Sequence, residues 1–343
     1  MPMSMCKHQE LVNGSNLRST SMLITCSYAQ AAALALTEAM QADDRVVALG
    51  EDIGRGGVFA QYAGLQAKFG PERVIDTPIS EATMIGAGVG MALAGMRPVI
   101  EMRVVDFAIC AMDEIVNQAA KNRYMFGGQG RVSMLMRLPN GIWQGSAAQH
   151  APSLEAWFVH IPGLVVLTPS SAADNYHLFK AALASDDPVI YMEHKELWQQ
   201  SGLIDTADTS MQTIGRACIC REGSDLTIVG WSSAIPRLTA MVDELNASGH
   251  SIELIDLRSL WPWDQEAVLK SVDKTRRLLV VHEAVQVGGF GAEVAAFVAE
   301  RSNARVARCG APRIPVGYSP TLESESLINT ERIKVAINQL LIR

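Results

Sequence analysis

The chain has 343 residues, of which 48% are hydrophobic and 19% are charged, and its formal net charge is −7. This length favours two domains, because single cores rarely grow beyond about 250–300 residues. The acidic balance argues against a nucleic-acid or an anionic-membrane partner, since either would require a basic face.

No stretch approaches the roughly 18 consecutive apolar residues of a transmembrane helix, and the start of the chain lacks the apolar core of a secretory signal. None of the six cysteines forms a C-x-x-C pair, and the spacing of Cys218 and Cys220 is not that of a zinc site. These features predict a cytoplasmic protein with reduced cysteines and no membrane partner.

Residues 1–21 are polar and lack periodicity, which predicts a flexible N-terminal extension. From Met22 onward, helical spacing and strong helix formers predict a helix. Short apolar runs then alternate with helical stretches, as in a parallel sheet covered by helices. The runs are RVVALG (45–50), RVIDTPI (73–79), MRPVIEM (96–102), RVSMLMRLP (131–139), GLVVLTP (163–169) and DPVIYM (187–192).

A second series follows a stretch without periodicity. It comprises DLTIVGW (225–231), SIELIDLRSL (251–260) and RRLLVVHEA (276–284), again separated by helical stretches. The sequence therefore predicts two tandem α/β domains, at 22–200 and 218–343, joined by a linker at 201–217. Each domain should contain a largely parallel sheet covered by helices.

Glu81 lies in a strand–turn–helix segment in which Pro78 ends the strand and Ser80 is placed to cap the helix. Ligands of open α/β sheets bind at the carboxyl ends of the strands, which makes Glu81 a candidate functional carboxylate. An acidic residue in a first helical turn is also favoured by electrostatics alone. Both interpretations are open at this point.

Three glycines within the same helix, Gly86, Gly88 and Gly90, lack the spacing of the dinucleotide fingerprint. We expect them to allow close packing of the helix on a neighbour. His282 and Glu283 begin like a zinc-protease motif, but Gln286 stands where the second histidine would be, so no zinc site is predicted.

His150 follows a predicted strand and a segment with a Pro-Asn-Gly turn signal, so a loop presents it. A histidine on such a loop can donate or accept a proton near neutral pH, although a lone histidine is more often a structural hydrogen-bonding group.

Several ordered segments together resemble the β subunits of the thiamine-diphosphate-dependent 2-oxo acid dehydrogenases. These segments are RVIDTPISE, DEIVNQAAKNRYMFGG, AAQHAPSLEAWFVHIPGLVVLTPS, DPVIYMEHKELW and GGFGAEVAA. The resemblance covers roughly residues 22–340. It implies a transketolase-like pyrimidine-binding domain followed by a transketolase C-terminal domain.

The resemblance also implies roles for individual residues. Glu81 corresponds to the glutamate that hydrogen-bonds the aminopyrimidine ring of thiamine diphosphate and promotes formation of its nucleophilic carbon. Phe107 corresponds to an aromatic residue that packs against the pyrimidine. His150 corresponds to an active-site histidine that assists decarboxylation and acyl transfer.

Relatives hold a potassium ion through loop carbonyls, and this chain differs from the usual side chains at two of the matching positions, 185 and 187. The matching residues are Met134, Ala182, Leu183, Ser185 and Asp187. Around the active-site loop, IWQGSA replaces a glycine-rich run, and Ala151 follows His150 where serine is usual.

The sequence has no GDG segment, through which thiamine enzymes bind magnesium and the diphosphate. The resemblance therefore implies a separate α subunit that holds magnesium, an α2β2 assembly, and a dihydrolipoyl acyltransferase core with a lipoyl domain. The implied reaction is oxidative decarboxylation of pyruvate or a branched-chain 2-oxo acid, or cleavage of acetoin, with acyl transfer to lipoamide.

Two other functions are compatible with parts of this sequence. One is a non-catalytic β-like chain that only scaffolds or docks an assembly. The other is part of a single-chain transketolase or deoxyxylulose-phosphate synthase, against which the missing diphosphate-binding domain argues.

Overall fold

The computed structural model describes Lys7–His8 and residues 23–342. The predicted flexible extension, 1–21, otherwise lies outside the described residues. Its two described residues form a short strand that pairs antiparallel with Leu23–Ser27, with Lys7 opposite Thr25.

The described strands, numbered in chain order, are short except for the fourteenth. They are β1 (Lys7–His8), β2 (Leu23–Ser27), β3 (Val46–Gly50), β4 (Val74–Asp76), β5 (Arg97–Glu101), β6 (Leu135–Arg137), β7 (Val165–Leu167), β8 (Val189–Tyr191), β9 (Ser201–Asp205), β10 (Cys218–Arg221), β11 (Leu226–Gly230), β12 (Ile252–Asp256), β13 (Ser259–Trp261), β14 (Arg277–Val285) and β15 (Arg305–Ala311).

The described α-helices alternate with these strands along most of the chain. They are α1 (Tyr28–Ala42), α2 (Leu65–Phe69), α3 (Glu81–Leu93), α4 (Asn122–Met125), α5 (Glu155–Val159), α6 (Ala172–Ala184), α7 (Ala234–Ala247), α8 (Gln265–Thr275), α9 (Gly291–Arg301), α10 (Pro320–Glu325) and α11 (Thr330–Leu341). Short 3-10 helices cover Ile53–Arg55, Val105–Ala111, Lys195–Leu197 and Thr209–Met211, and Glu114–Ala119 is a π-helix.

Two larger sheets organise the structure. The first has seven strands in the order β13-β7-β8-β6-β5-β3-β4, and the second has five in the order β10-β12-β11-β14-β15. All pairs are parallel except those made by β13 with β7 and by β10 with β12. The predicted α/β class with largely parallel sheets covered by helices is confirmed.

The apolar strands of both sheets are buried on both faces, as parallel strands usually are. One face of the first sheet packs on α1 and α6, and its other face packs on α3. The core on the α3 side continues into the second domain through Trp231, Leu260 and Trp263. The two domains therefore share part of one hydrophobic core.

The segment predicted as one strand at 251–260 forms two strands that belong to different sheets. Ile252–Asp256 pairs with β11 in the second sheet, whereas Ser259–Trp261 pairs with β7 at the edge of the first. Arg258 has a φ of 58°, and this left-handed conformation redirects the chain between them. Strand β13 thus ties the second domain to the first sheet.

The helix predicted from Met22 begins later, at Tyr28. Residues 23–27 form a strand, and the Ser27 side chain accepts a hydrogen bond from the Gln30 N–H in a capping box. The predicted linker also contains regular structure, because Ser201–Asp205 forms a strand that pairs with Leu23–Ser27. These two segments complete the small three-stranded sheet with Lys7–His8.

Among the described residues, no helix combines the length and apolarity needed to cross a membrane.

Candidate active site

The candidate site lies at the carboxyl edge of the seven-stranded sheet, where parallel strands deliver their following loops to one side. Glu51 follows β3, and Glu81 opens the helix after β4. Phe107, His150 and Lys195 follow β5, β6 and β8 respectively. These three strands are adjacent in the order β8-β6-β5, so their loops meet.

Glu81 is the first residue of α3 and is half-buried. No group in the described part of the chain donates a hydrogen bond to its carboxylate. The prediction that Ser80 caps this helix through its side chain is wrong, because Ser80 Oγ donates to the Pro78 carbonyl at 3.1 Å. The carboxylate of Glu81 is therefore open to a ligand at a helix start.

Glu51, which the sequence analysis did not single out, lies close to Glu81. Burial and the negative charge of Glu81 raise the pKa of Glu51, against the opposing charge of Arg103. Arg103 Nη1 lies 3.8 Å from Glu51 Oε2. Because two neighbouring carboxylates resist joint ionisation, this corner of the site can hold a proton.

Phe107 and His150 are brought together by the fold. Their ring centroids lie 5.5 Å apart with an interplanar angle of 81°, an edge-to-face contact. Phe107 is partly buried against the core, and helix α3 packs on the 3-10 helix that carries it. His150 is exposed. An aromatic surface and a titratable ring thus lie at the same sheet edge as Glu81.

The loop that presents His150, residues 140–154, is held by two carboxylates of the second domain. Glu283 accepts hydrogen bonds from the Ile142 N–H at 3.0 Å and from Ser153 Oγ at 3.3 Å. Glu323 accepts from the Gly145 N–H at 2.6 Å. We call residues 140–154 the His150 loop; its geometry depends on both domains.

Glu283 remains ionised in this environment. Burial opposes its charge, but His194, whose Nε2 lies 2.8 Å from Oε1, and the Ile142 N–H outweigh burial and lower the pKa of Glu283 to about 2. Glu283 thus acts as a charged acceptor that connects the two domains.

The unusual IWQGSA segment is anchored by an aromatic cluster. The Trp143 ring lies 5.6 Å from that of Phe59 and 5.5 Å from that of Trp198, both in edge-to-face contacts. Trp143, which lies in the segment that departs from the family pattern, therefore occupies a packed position.

Lys195 and Asp106 complete the surroundings of His150. Lys195 is only 2% exposed, and its Nζ donates a hydrogen bond to the His150 backbone carbonyl. Burial lowers the pKa of Lys195 to about 8, against the opposing charges of Asp106 and Glu283. Burial raises the pKa of Asp106 to about 6. Neither residue carries a sequence signal beyond its place after a strand.

One cluster in the described part of the chain has metal-ligand chemistry, namely His194, Glu196 and Glu283. Both ring nitrogens of His194 are already used, since Nε2 contacts Glu283 and Nδ1 accepts from the Glu196 N–H at 3.2 Å. The Glu196 carboxylate pairs with Arg237. The His194 ring therefore has no free nitrogen to offer a metal ion.

The five residues matched to a potassium site gather where α6 ends and β8 begins. Arg97 Nη1 donates to the carbonyls of Leu183 and Ser185, at 2.7 and 3.0 Å. The carbonyls of Met134, Ala182 and Asp187 accept from the Val189 N–H, the Ser185 N–H and Ser185 Oγ respectively. Every one of these carbonyls already has a donor, and a guanidinium supplies the positive charge, so the residues do not fit a potassium ion.

The three helical glycines differ in their surroundings. A Cβ on Gly88 would lie 2.8 Å from Ile100 Cδ1, so this glycine permits close packing of α3 on the sheet, as expected. Within the described residues, a Cβ on Gly86 would meet only Glu114 within 4 Å and a Cβ on Gly90 would meet nothing, so no close neighbour in this chain requires these two glycines.

Comparison with known protein families agrees with this architecture. Residues 25–200 match the family "Transketolase, pyrimidine binding domain", and residues 215–333 match "Transketolase, C-terminal domain". A solved structure described as "Split gene transketolase, inactive beta4 tetramer" superposes with a TM-score of 0.77 at 23% identity, covering 92% of this chain and 98% of that chain. This likeness shows the shared fold: the two-domain architecture of transketolase-type proteins.

Curated relatives are more specific. The chain is 37% identical to the 2-oxoisovalerate dehydrogenase subunit beta of Bacillus subtilis, covering 92% of this chain and 98% of the relative. It is 41% identical to the mitochondrial pyruvate dehydrogenase E1 component subunit beta-2 of Oryza sativa subsp. japonica, covering 84% and 79%. It is 37% identical to the corresponding beta subunit of Caenorhabditis elegans, covering 94% of each. The chain belongs to the family of 2-oxo acid dehydrogenase E1 β subunits.

Proposed function

We propose that this chain, with a separate α subunit, catalyses thiamine-diphosphate-dependent oxidative decarboxylation of a 2-oxo acid and passes the acyl group to lipoamide. The observation that carries the proposal is the open carboxylate of Glu81, which lies at the carboxyl edge of the sheet on a helix packed against the segment of Phe107. The substrate classes proposed are pyruvate and branched-chain 2-oxo acids, with cleavage of acetoin as a related reaction.

The residues present fit the pyrimidine end of the cofactor. Glu81 has an acceptor without a donor in the described part of the chain, and Phe107 offers an aromatic face within a largely apolar neighbourhood. When bound, thiamine diphosphate supplies the carbon nucleophile that attacks a 2-oxo group. Glu81 would hold the proton of the aminopyrimidine, and Glu51, a second carboxyl group with a raised pKa, lies near it.

His150 would act on the reacting molecule as proton donor or acceptor. It is exposed, it contacts Phe107, and its loop is fixed by Glu283 and Glu323 of the second domain. A histidine presented in this way can transfer a proton near neutral pH. The structured loop keeps the imidazole at the cofactor end of the sheet.

The diphosphate end of the cofactor requires another chain. A diphosphate needs a cation or helix N-termini, and this sequence has no GDG segment to hold magnesium. We therefore propose that an α subunit holds magnesium, that the assembly is α2β2, and that it acts with a dihydrolipoyl acyltransferase core and its lipoyl domain. A cytoplasmic location and domain boundaries at 22–200 and 218–343 stay predictions.

The test replaces Glu81 by Gln in the complex with its α subunit. We expect lipoamide acylation to fall by at least about 10²-fold, because the amide cannot exchange the required proton. Glu266→Gln, an exposed glutamate of α8, is the matched control and should retain activity. Unchanged acylation in Glu81→Gln would show that the assignment of Glu81 is wrong.

Cofactor titration separates the proposal from a purely scaffolding chain. Thiamine diphosphate with magnesium is titrated into the αβ complex carrying wild-type or Glu81→Gln β chain. A weaker affinity in the variant supports a cofactor-binding chain, whereas equal affinities would favour the scaffold. Pyruvate, 2-oxoisovalerate and acetoin, compared at equal concentrations, then identify the substrate class.

A further inference from the structure

We propose that Lys195 is a positioning residue for His150, with its buried ammonium group holding the His150 backbone and the facing carboxylate of Asp106 favouring the charged form of that group. This inference rests on the proposed function, in which His150 exchanges protons with the reacting molecule.

The geometry brings the three residues from three adjacent strands. Asp106 follows β5, His150 follows the central strand β6, and Lys195 follows β8. Lys195 Nζ donates to the backbone carbonyl of His150, and Phe107, the residue after Asp106, contacts the His150 ring. The histidine is therefore held on its backbone side and on one edge of its ring.

The burial of Lys195 is costly unless it has a specific partner. Within the described residues, its only side-chain hydrogen bond goes to the His150 carbonyl, and the charges that face it are Asp106 and Glu283. Glu283 in turn accepts from the Ile142 N–H near the start of the same loop. The ammonium group of Lys195 therefore stabilises the His150 loop more directly than it stabilises any other part of the fold.

Asp106 has an acceptor that nothing in the described structure uses. Its Oδ2 is buried without a hydrogen-bond donor, and the charged groups that face the carboxylate are Lys195 and His150. A negative charge that faces an ammonium group favours the charged form of that group. Asp106 therefore opposes the effect of burial on Lys195 and helps to keep it a charged donor to His150.

The role of Asp106 is tested in the full chain by hydrogen exchange of peptides from the His150 loop. We expect Asp106→Asn to accelerate exchange of residues 147–151 relative to wild type, because the charge that favours the ammonium form of Lys195 is lost. Asp273→Asn, at an exposed aspartate of α8, is the matched control and should leave this exchange unchanged. Equal exchange in Asp106→Asn and wild type would overturn the role of Asp106.

The backbone part is tested by hydrogen exchange of peptides from the His150 loop. Lys195→Met should accelerate exchange of residues 147–151 by about tenfold or more, because a hydrogen bond from a charged donor is removed. Lys195→Arg should restore part of the protection, and the exposed Lys270→Met should have no effect. Equal exchange in Lys195→Met and wild type would refute the positioning role.

Neither measurement depends on turnover. If the αβ complex is inactive on every 2-oxo acid tested, the proposed function fails while these two results still decide the roles of Lys195 and Asp106. If the complex is active but neither variant changes its readout, only the positioning proposal fails.

Discussion

His282 provides a sharp test of how burial controls the pH dependence of stability. Its ring is fully buried and stacks on Trp231 at 5.1 Å with an interplanar angle of 11°. No side chain among the described residues hydrogen-bonds either ring nitrogen. Burial lowers the pKa of His282 from 6.5 to about 4, and the positive charge of Arg308 contributes to this.

The sign of the effect follows from proton binding. Between about pH 6.5 and pH 4 the unfolded chain binds a proton at this position and the folded chain does not, so the free energy of unfolding falls as the pH falls. At about 1.4 kcal/mol per pH unit, the wild type should lose roughly 3 kcal/mol across this window through His282 alone. Above about pH 7.5, where the unfolded imidazole is also neutral, the residue should contribute almost no pH dependence.

The assay compares wild type with His282→Leu by urea unfolding at closely spaced pH values from 7.5 to 4. His177, whose pKa is also lowered by burial, is common to both proteins, so its contribution cancels in the difference. We expect the difference in unfolding free energy between the two proteins to change by roughly 3 kcal/mol between pH 6.5 and pH 4. Parallel curves across that window would show that His282 accepts a proton in the folded state, which would refute the reasoning.

Three further predictions concern other features. Arg137→Met should lower the free energy of unfolding by about 3–5 kcal/mol, because it leaves the buried Glu193 and Glu101 without their cation. An unchanged urea midpoint of unfolding would contradict this. Replacing potassium by sodium in the buffer should leave the melting temperature unchanged. Arg97→Met should lower it, because Arg97 supplies the positive charge at the turn after α6. A melting temperature that depends on potassium would argue against this. Gly141→Ala should reduce lipoamide acylation by the αβ complex. The backbone φ at Gly141 is 82°, and an added Cβ would overlap the His194 ring. Full activity of the variant would count against this prediction.

The surroundings of the candidate residues show where sequence reasoning stopped. Glu81 and His150 carried recognisable local signals, a helix start after a strand and a turn-rich loop after another. Lys195 and Asp106 carried none, because their importance comes from burial and from contacts with a residue more than 40 positions away. Glu283 was considered only as part of a metal motif, although its role is to hold a loop of the other domain.

Strand β13 illustrates the same limit in the fold. Its residues read as the continuation of β12, since periodicity reports only which residues are apolar and not which sheet they join. A left-handed Arg258 separates the two strands, and no residue-type rule predicts an arginine in that conformation.

The sequence by itself determined the family, the α/β class and the alternation of apolar strands with helices, because these depend on local pattern and on ordered motifs along the chain. The tertiary structure alone decided the shared sheet and core of the two domains, the pairing of Phe107 with His150, and the Arg97 guanidinium at the expected potassium position. The physical reason is that burial, charge pairing and ring contacts depend on which distant segments meet. Those meetings are set by the packing of the sheets, not by the neighbours of a residue in the chain.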